Sequence, residues 1–252
     1  MMEDILARAG GMLTLNTFLF MAVASLGGLV RGFSGFGVAL VVVPLSSTLV
    51  DPKIAVVTVW MVNAVVGAPL TVEGMRRCNW SEVRPLSVGI LICTPIGAWI
   101  LAHAPIDTLR WIIALLVLVS VIALGVGWRR TQPVARPGLL GIGGVSGLAG
   151  GIAGFYGPPV VLFWVGGPDD KHRVRNNLNG VFAVTTIAGG ASFWLHDLIT
   201  LDKALLALLA GPAYGVGVWL GARLFPLASE RVFRRAALAL CGISALSAMP
   251  VW

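Results

Sequence analysis

This sequence is poor in charge. Only 12% of its 252 residues are Asp, Glu, Lys or Arg, about half the share in an ordinary soluble domain. No segment is polar for long enough to form a soluble domain, and the one hydrophilic linker runs from Arg129 to Pro137. Cysteines are few and scattered. Cys78, Cys93 and Cys241 offer neither a disulfide framework nor a CxxC metal or redox site, and read as small apolar fillers. The three histidines, His103, His172 and His196, fall at run ends or in loops without metal-ligand spacing. Paired carboxylates, a Ser/His arrangement and a His/Asp cluster are all missing, so the residues expected of an enzyme are not here. No metal and no cofactor is implied.

What fills the chain is apolar, with 57% hydrophobic residues and a mean hydropathy of +0.90. A helix of about 20 residues crosses a hydrocarbon core of about 30 Å. Runs of that order recur at 13–30, 54–73, 85–103, 111–128, 138–155, 178–195, 204–222 and 236–252. The expected fold class is an all-α polytopic membrane protein of the cell (inner) membrane. Two further runs are too short to span: Val38 to Val50, which contains Pro44, and a run opened by Gly157-Pro158-Pro159 that ends near Gly166. They predict broken or re-entrant helices, giving about 8 full spans and 2 short half-helices. Ala22-Val23-Ala24 resembles a signal-peptide cleavage site, but Glu3, Asp4 and Arg8 precede it in place of a basic n-region. The first run therefore belongs to the mature fold.

Each short run follows a glycine-rich break. Arg31-Gly32-Phe33-Ser34-Gly35-Phe36-Gly37 precedes the first, and Gly150-Gly151-Ile152-Ala153-Gly154-Phe155-Tyr156 precedes the second. Gly28-Leu29 is echoed by Gly147-Leu148, and Gly97-Ala98-Trp99 lies over Gly217-Val218-Trp219. A shared order of break, short run and three spans marks an internal repeat. The expected organisation is membrane repeat 1 over 1–128, a cytoplasmic linker over 129–137 and membrane repeat 2 over 138–252.

Cations orient the halves. The net charge of +7 sits in short clusters between apolar runs and not along one polar face, so it serves topology and not nucleic acid. Parallel halves would divide the 18 Lys and Arg eight against ten, whereas inverted halves divide them fourteen against four. Only the second division obeys the positive-inside rule. It leaves Arg8, Lys53, Arg110 and Lys203 outside, together with both termini. The cytoplasmic set runs from Arg76, Arg77 and Arg84 through Arg173 and Arg175 to Arg223 and Arg235.

Unpaired backbone groups are costly inside a bilayer unless protein or a water-lined cavity satisfies them. Paired breaks in two inverted halves therefore point to a transport site near the midplane. Half-helix N-termini favour an anion there, and glycine supplies dihedral freedom and close approach. The competing explanation is helix packing, since Gly28/Gly32, Gly147/Gly151, Gly150/Gly154, Gly211/Gly215 and Gly217/Gly221 all have small-xxx-small spacing. The last two pairs are assigned to packing and the breaks to a site. Candidate substrate-binding residues are Arg31, Gly32, Ser34, Gly35, Phe36 and Gly37 at the first break, Gly154, Phe155 and Tyr156 at the second, and Asn63 and Asn179 on neighbouring spans. Arg31 has Gly150 as its counterpart. It either supplies one fixed cation whose planar fork suits an oxyanion, or marks the cytoplasmic end of the first span. Trp60 and Trp164 are candidate cavity liners, while Trp80, Trp111, Trp128, Trp194 and Trp252 are candidate interfacial anchors.

The Gly-Phe-Ser-Gly-Phe-Gly break, Val43-Pro44 after it, the second Gly-Phe break before Pro158-Pro159 and the two-repeat plan resemble the TauE/SafE family, the sulfite and organosulfonate exporters. The likeness covers nearly the whole chain. It implies a secondary transporter of a small anion, such as sulfite, an organosulfonate or a related sulfur oxyanion, working by alternating access around the paired breaks. With the cell interior negative, expelling one negative charge is favoured by about 2.3 kcal/mol per 100 mV, so export needs no coupling ion. Proton- or sodium-coupled uptake of sulfate or another small solute is the alternative reading, with an intramembrane enzyme or a non-transporting scaffold more remote. The expected partners are a small anionic substrate and the lipid bilayer. A homo-oligomer is compatible with the sequence.

Overall fold

A computed structural model of the chain describes residues 14–34, 37–126, 134–165, 171–224 and 230–249. Nearly all of these residues are helical, and no strand occurs among them. In chain order the helices are α1 (Leu15–Ser34), α2 (Val38–Ser46), α3 (Pro52–Val66), α4 (Ala68–Arg77), α5 (Trp80–His103), α6 (Ile106–Val126), α7 (Arg136–Ala153), α8 (Gly157–Val165), α9 (Lys171–Leu195), α10 (Leu201–Leu224) and α11 (Glu230–Ala248).

Local chemistry sets the boundaries. Asp51 caps α3 by accepting from the Lys53 amide at 2.7 Å, with Pro52 at the first position, where a missing N–H is harmless. Asn79 caps α5 through the Ser81 amide at 3.2 Å. Among the described residues, α1, α5, α6, α9 and α10 are long and apolar enough to cross a membrane, fewer than the eight spans that hydropathy alone suggests. α7 is 18 residues long and diluted by glycine, and the apolar part of α11 is Ala239–Ala248. The run expected as one span at 54–73 is two helices, α3 and α4, bent by 67°. Gly67 and Pro69 explain the bend, since a proline removes an N–H and its ring meets the carbonyl four residues back.

Side-chain contacts fix which helix ends lie together. Asn16 donates to the Leu49 carbonyl at 3.4 Å, Arg110 to the Ser47 carbonyl at 3.1 Å and Lys53 to the Ala102 carbonyl at 2.8 Å. Lys203 lies in the field of Asp51 and Lys53. The start of α1, the end of α2, the start of α3, the end of α5 and the starts of α6 and α10 thus share one end of the bundle. At the other end, Glu82 in the first turn of α5 accepts from Trp164 of α8 and Asn177 of α9, each at 3.1 Å, and from Arg173. The two groups are separated by the length of α5, 24 residues or about 36 Å. α1 and α2 therefore form a hairpin entering from the Lys53 end, and α7 and α8 one entering from the Glu82 end.

Glycine permits the closest packing. α1 runs parallel to α10, and α5 parallel to α7, because later residues of one helix meet later residues of the other. A Cβ on Gly28 or Gly32 would overlap the carbonyls of Tyr214 or Val218, and one on Gly217 or Gly221 those of Ser25 or Leu29. In the other pair, Gly89 and Gly97 meet α7 while Gly143, Gly147 and Gly151 meet α5. Backbones approach this closely only where side chains are absent. The first helix of each half, α1 or α7, thus packs on a long helix of the other half, α10 or α5.

Candidate functional site

The tips of the two hairpins meet at a cavity of about 50 Å³, several times the room one water needs. Gly37 and Val38 line it from the first hairpin, and Gly154, Phe155 and Tyr156 from the second. α3 adds Val59, Trp60 and Asn63, α9 adds Phe182, Thr185 and Thr186, and Arg31 reaches in from α1.

Both short helices begin at this cavity, so the positive ends of two helix dipoles point into it. Their chemistry differs. α2 starts after Gly37 in a left-handed conformation, φ 89°, with no side-chain cap, so its first-turn N–H groups face the cavity wall unclaimed by a cap. α8 opens with Gly157-Pro158-Pro159, and its prolines carry no N–H to offer. Gly154, φ 73°, ends α7. Its N–H bonds back to Gly150 at 2.7 Å, and the buried Ser146 hydroxyl donates to the Tyr156 carbonyl at 2.6 Å. The protein thereby satisfies part of the irregular backbone that lipid would leave unpaired.

Arg31 is 8% exposed. Its guanidinium stands 5.3 Å from the centroid of the Phe182 ring, a cation–π distance. Its Nη2 lies 3.4 Å from where a Cβ on Gly67 would be, so it reaches the bend between α3 and α4. This is an interior position, not an exposed helix end. Asn63 turns its Oδ1 to the Tyr214 hydroxyl at 3.1 Å. The arrangement is a small chamber with one buried cation, an uncapped helix start and mostly apolar walls, suited to a compact anion.

Compared with known protein families, residues 20–248 match the family described as sulfite exporter TauE/SafE. The chain belongs to the TauE/SafE family. Among curated proteins it is similar to one named probable sulfite/organosulfonate exporter TauE from Cupriavidus necator, 26% identical over 230 residues that make up 86% of this chain and 88% of that protein. No solved structure matches.

Within this TauE/SafE chain, the structure gathers Arg31, Gly37, Asn63, Gly154, Phe155 and Tyr156 of the sequence-derived set at the cavity. Two others lie elsewhere. Gly32 is pressed against the backbone of α10 at Val218 and Ala222, and Asn179 packs on Gly74 of α4. Both are helix-packing positions. The side chain of Ser34, and Gly35 and Phe36, lie outside the described residues. Trp60 lines the cavity, but Trp164 is fully buried and donates to Glu82. Trp111 and Trp194 are exposed, whereas Trp80 donates to the Met75 carbonyl at 3.1 Å. Trp128 and Trp252 fall outside the described residues. Sequence reasoning missed Phe182, Thr185 and Thr186. Their only signal is a pair of threonines inside an apolar run, and both hydroxyls are turned to the Phe182 carbonyl.

Proposed function

We propose that this protein is a secondary transporter of a small sulfur oxyanion or organosulfonate, exporting it by alternating access around α2 and α8. The observation that carries the reading is a buried Arg31 in a cavity onto which two short helices, entering from opposite ends, direct their N-termini. A buried arginine in a membrane protein is costly and marks functional sites, and its fork suits sulfonate or sulfite oxygens. The substrate class follows the name of the Cupriavidus necator relative. The two halves, 1–128 and 138–252, act as inverted repeats joined by a cytoplasmic linker at 129–137, with Lys53, Arg110 and Lys203 outside. Eight spans and two re-entrant half-helices then account for the chain. Export follows from the field, because an outgoing anion moves down the membrane potential.

The test is a thermal-shift screen of purified protein with sulfite, sulfate, thiosulfate, sulfonates and carboxylates. A ligand that binds the native state raises its apparent stability, by about 2.7 kcal/mol at a hundred times Kd. A sulfur oxyanion is expected to raise the unfolding midpoint of the wild type, and Arg31→Ala to abolish the rise while remaining folded. A response to carboxylates alone, or an undiminished response in Arg31→Ala, would overturn the reading.

A further inference from the structure

Two buried donors remain on residues that line the cavity once the hydrogen bonds of the fold are assigned. The Trp60 indole Nε1 and the Tyr156 hydroxyl are both shielded, and neither has a hydrogen-bond partner among the described residues. Native proteins keep few such groups, because an unpaired buried donor is destabilising. Tyr156 as a whole is 6% exposed. The Thr94 hydroxyl beside it gives its proton to the Ile90 carbonyl at 2.7 Å, so it faces Tyr156 only as an acceptor, outside hydrogen-bond geometry.

The two donors come from different halves and converge. A Cβ on Gly189 of α9 would stand 2.8 Å from Trp60 Nε1 and 3.0 Å from the Tyr156 hydroxyl. They are thus no farther apart than two hydrogen bonds laid end to end, within the reach of one acceptor oxygen once the closed space between them opens. Each ring is held in place. Trp60 packs edge-on to Phe193 at 5.7 Å and against Gly190. Tyr156 lies over Gly150, where any side chain would overlap its ring, and its carbonyl is anchored by Ser146. Trp60 is three positions before Asn63 on α3, and a helix brings residues so spaced onto one face.

We infer that Trp60 and Tyr156 form a neutral donor pair that binds one oxygen of the transported anion, while Arg31 holds its charge. This rests on the transport reading above and narrows it. An indole N–H can only donate, so the pair favours ligands with a bare acceptor oxygen, as sulfite and sulfonates have. Because one donor belongs to each half, a movement that separates the halves parts the donors and loosens the oxygen.

Trp60→Phe and Tyr156→Phe remove the donors and keep aromatic bulk. Unfolding midpoints of the wild type, both variants and Arg31→Ala would be measured without ligand, with sodium sulfite, with sodium methanesulfonate and with sodium chloride as control. Without ligand, each Phe variant is expected to match or exceed the wild type, since no protein hydrogen bond is lost. With sulfite or methanesulfonate, each loses roughly ten- to hundredfold in affinity, the worth of one hydrogen bond to a charged group. Lower ligand-free stability would mean that the donors are bonded within the fold and would overturn the pair. Wild-type affinity in both Phe variants, with binding lost in Arg31→Ala, would overturn the pair and leave the transport reading standing. If no sulfur oxyanion shifts the wild type, the transport reading falls and the pair with it.

Discussion

Glu82 lies in the first turn of α5, where the helix dipole favours a carboxylate, and gathers donors from Trp164, Arg173 and Asn177. Asn79, the N-cap three residues back, also donates to it at 3.3 Å, so the local sequence marks Glu82 only as a helix-start residue, while the other partners sit 82 to 95 positions away. Trp164 and Asn177 are fully buried, and a buried donor left unpaired costs about 1–3 kcal/mol. The ion pair with Arg173 is different, since that side chain is 46% exposed and exposed pairs contribute about 1 kcal/mol or less. Glu82→Ala is therefore expected to lower the thermal midpoint of the purified protein clearly more than Arg173→Ala. Equal losses would place the weight on the ion pair. Arg31 shows the reverse kind of legibility: the sequence flags it as a lone cation beside a break, but only burial distinguishes an interior cation from a helix-end marker.

The elements of this fold are joined by glycine at some points and merely contain it at others. Small-xxx-small spacing alone treats Gly211/Gly215 and Gly217/Gly221 alike. The structure separates them, because a Cβ on Gly217 or Gly221 would overlap the backbone of α1, whereas Gly211 and Gly215 meet nothing within 4 Å. The second pair is a packing seam and the first is not, among the described residues. Gly217→Ala should lower the unfolding midpoint in detergent. Gly215→Ala should leave it unchanged or raise it by the equivalent of about 0.4–1 kcal/mol, through reduced freedom of the unfolded chain. Matching losses at both positions would contradict this division. The same sorting applies at the breaks: Gly28, Gly32, Gly147 and Gly151 serve packing, while Gly37 and Gly154 hold left-handed turns at the cavity.

For the whole molecule, the cation count becomes a geometric statement. Lys53, Arg110 and Lys203 gather at one end of the bundle and Arg173 at the other, separated by the length of α5. The proposed topology, drawn from the positive-inside rule, puts the Lys53 end outside. In a background without Cys78, Cys93 and Cys241, Lys203→Cys should react with a membrane-impermeant thiol reagent added to intact cells, and Arg173→Cys only after the membrane is opened. Labelling of both from the same side would end the proposed topology.

The sequence by itself determined the membrane class, the positions of both breaks, the shortness of the runs that follow them and the family, because hydropathy, glycine and proline act locally and leave a local record. It did not locate the bend at Gly67, although Pro69 stood in plain view, since a single proline in an apolar run can also sit in a merely kinked helix. What only the tertiary structure decided is which groups share a space: that α2 and α8 enter from opposite ends, that Arg31 reaches the bend between α3 and α4, that Trp164 serves Glu82 while Trp60 faces the cavity, and that Trp60 and Tyr156 converge on Gly189. Those facts depend on contacts between residues far apart in the chain, and packing against distant helices has no periodicity for a sequence to display.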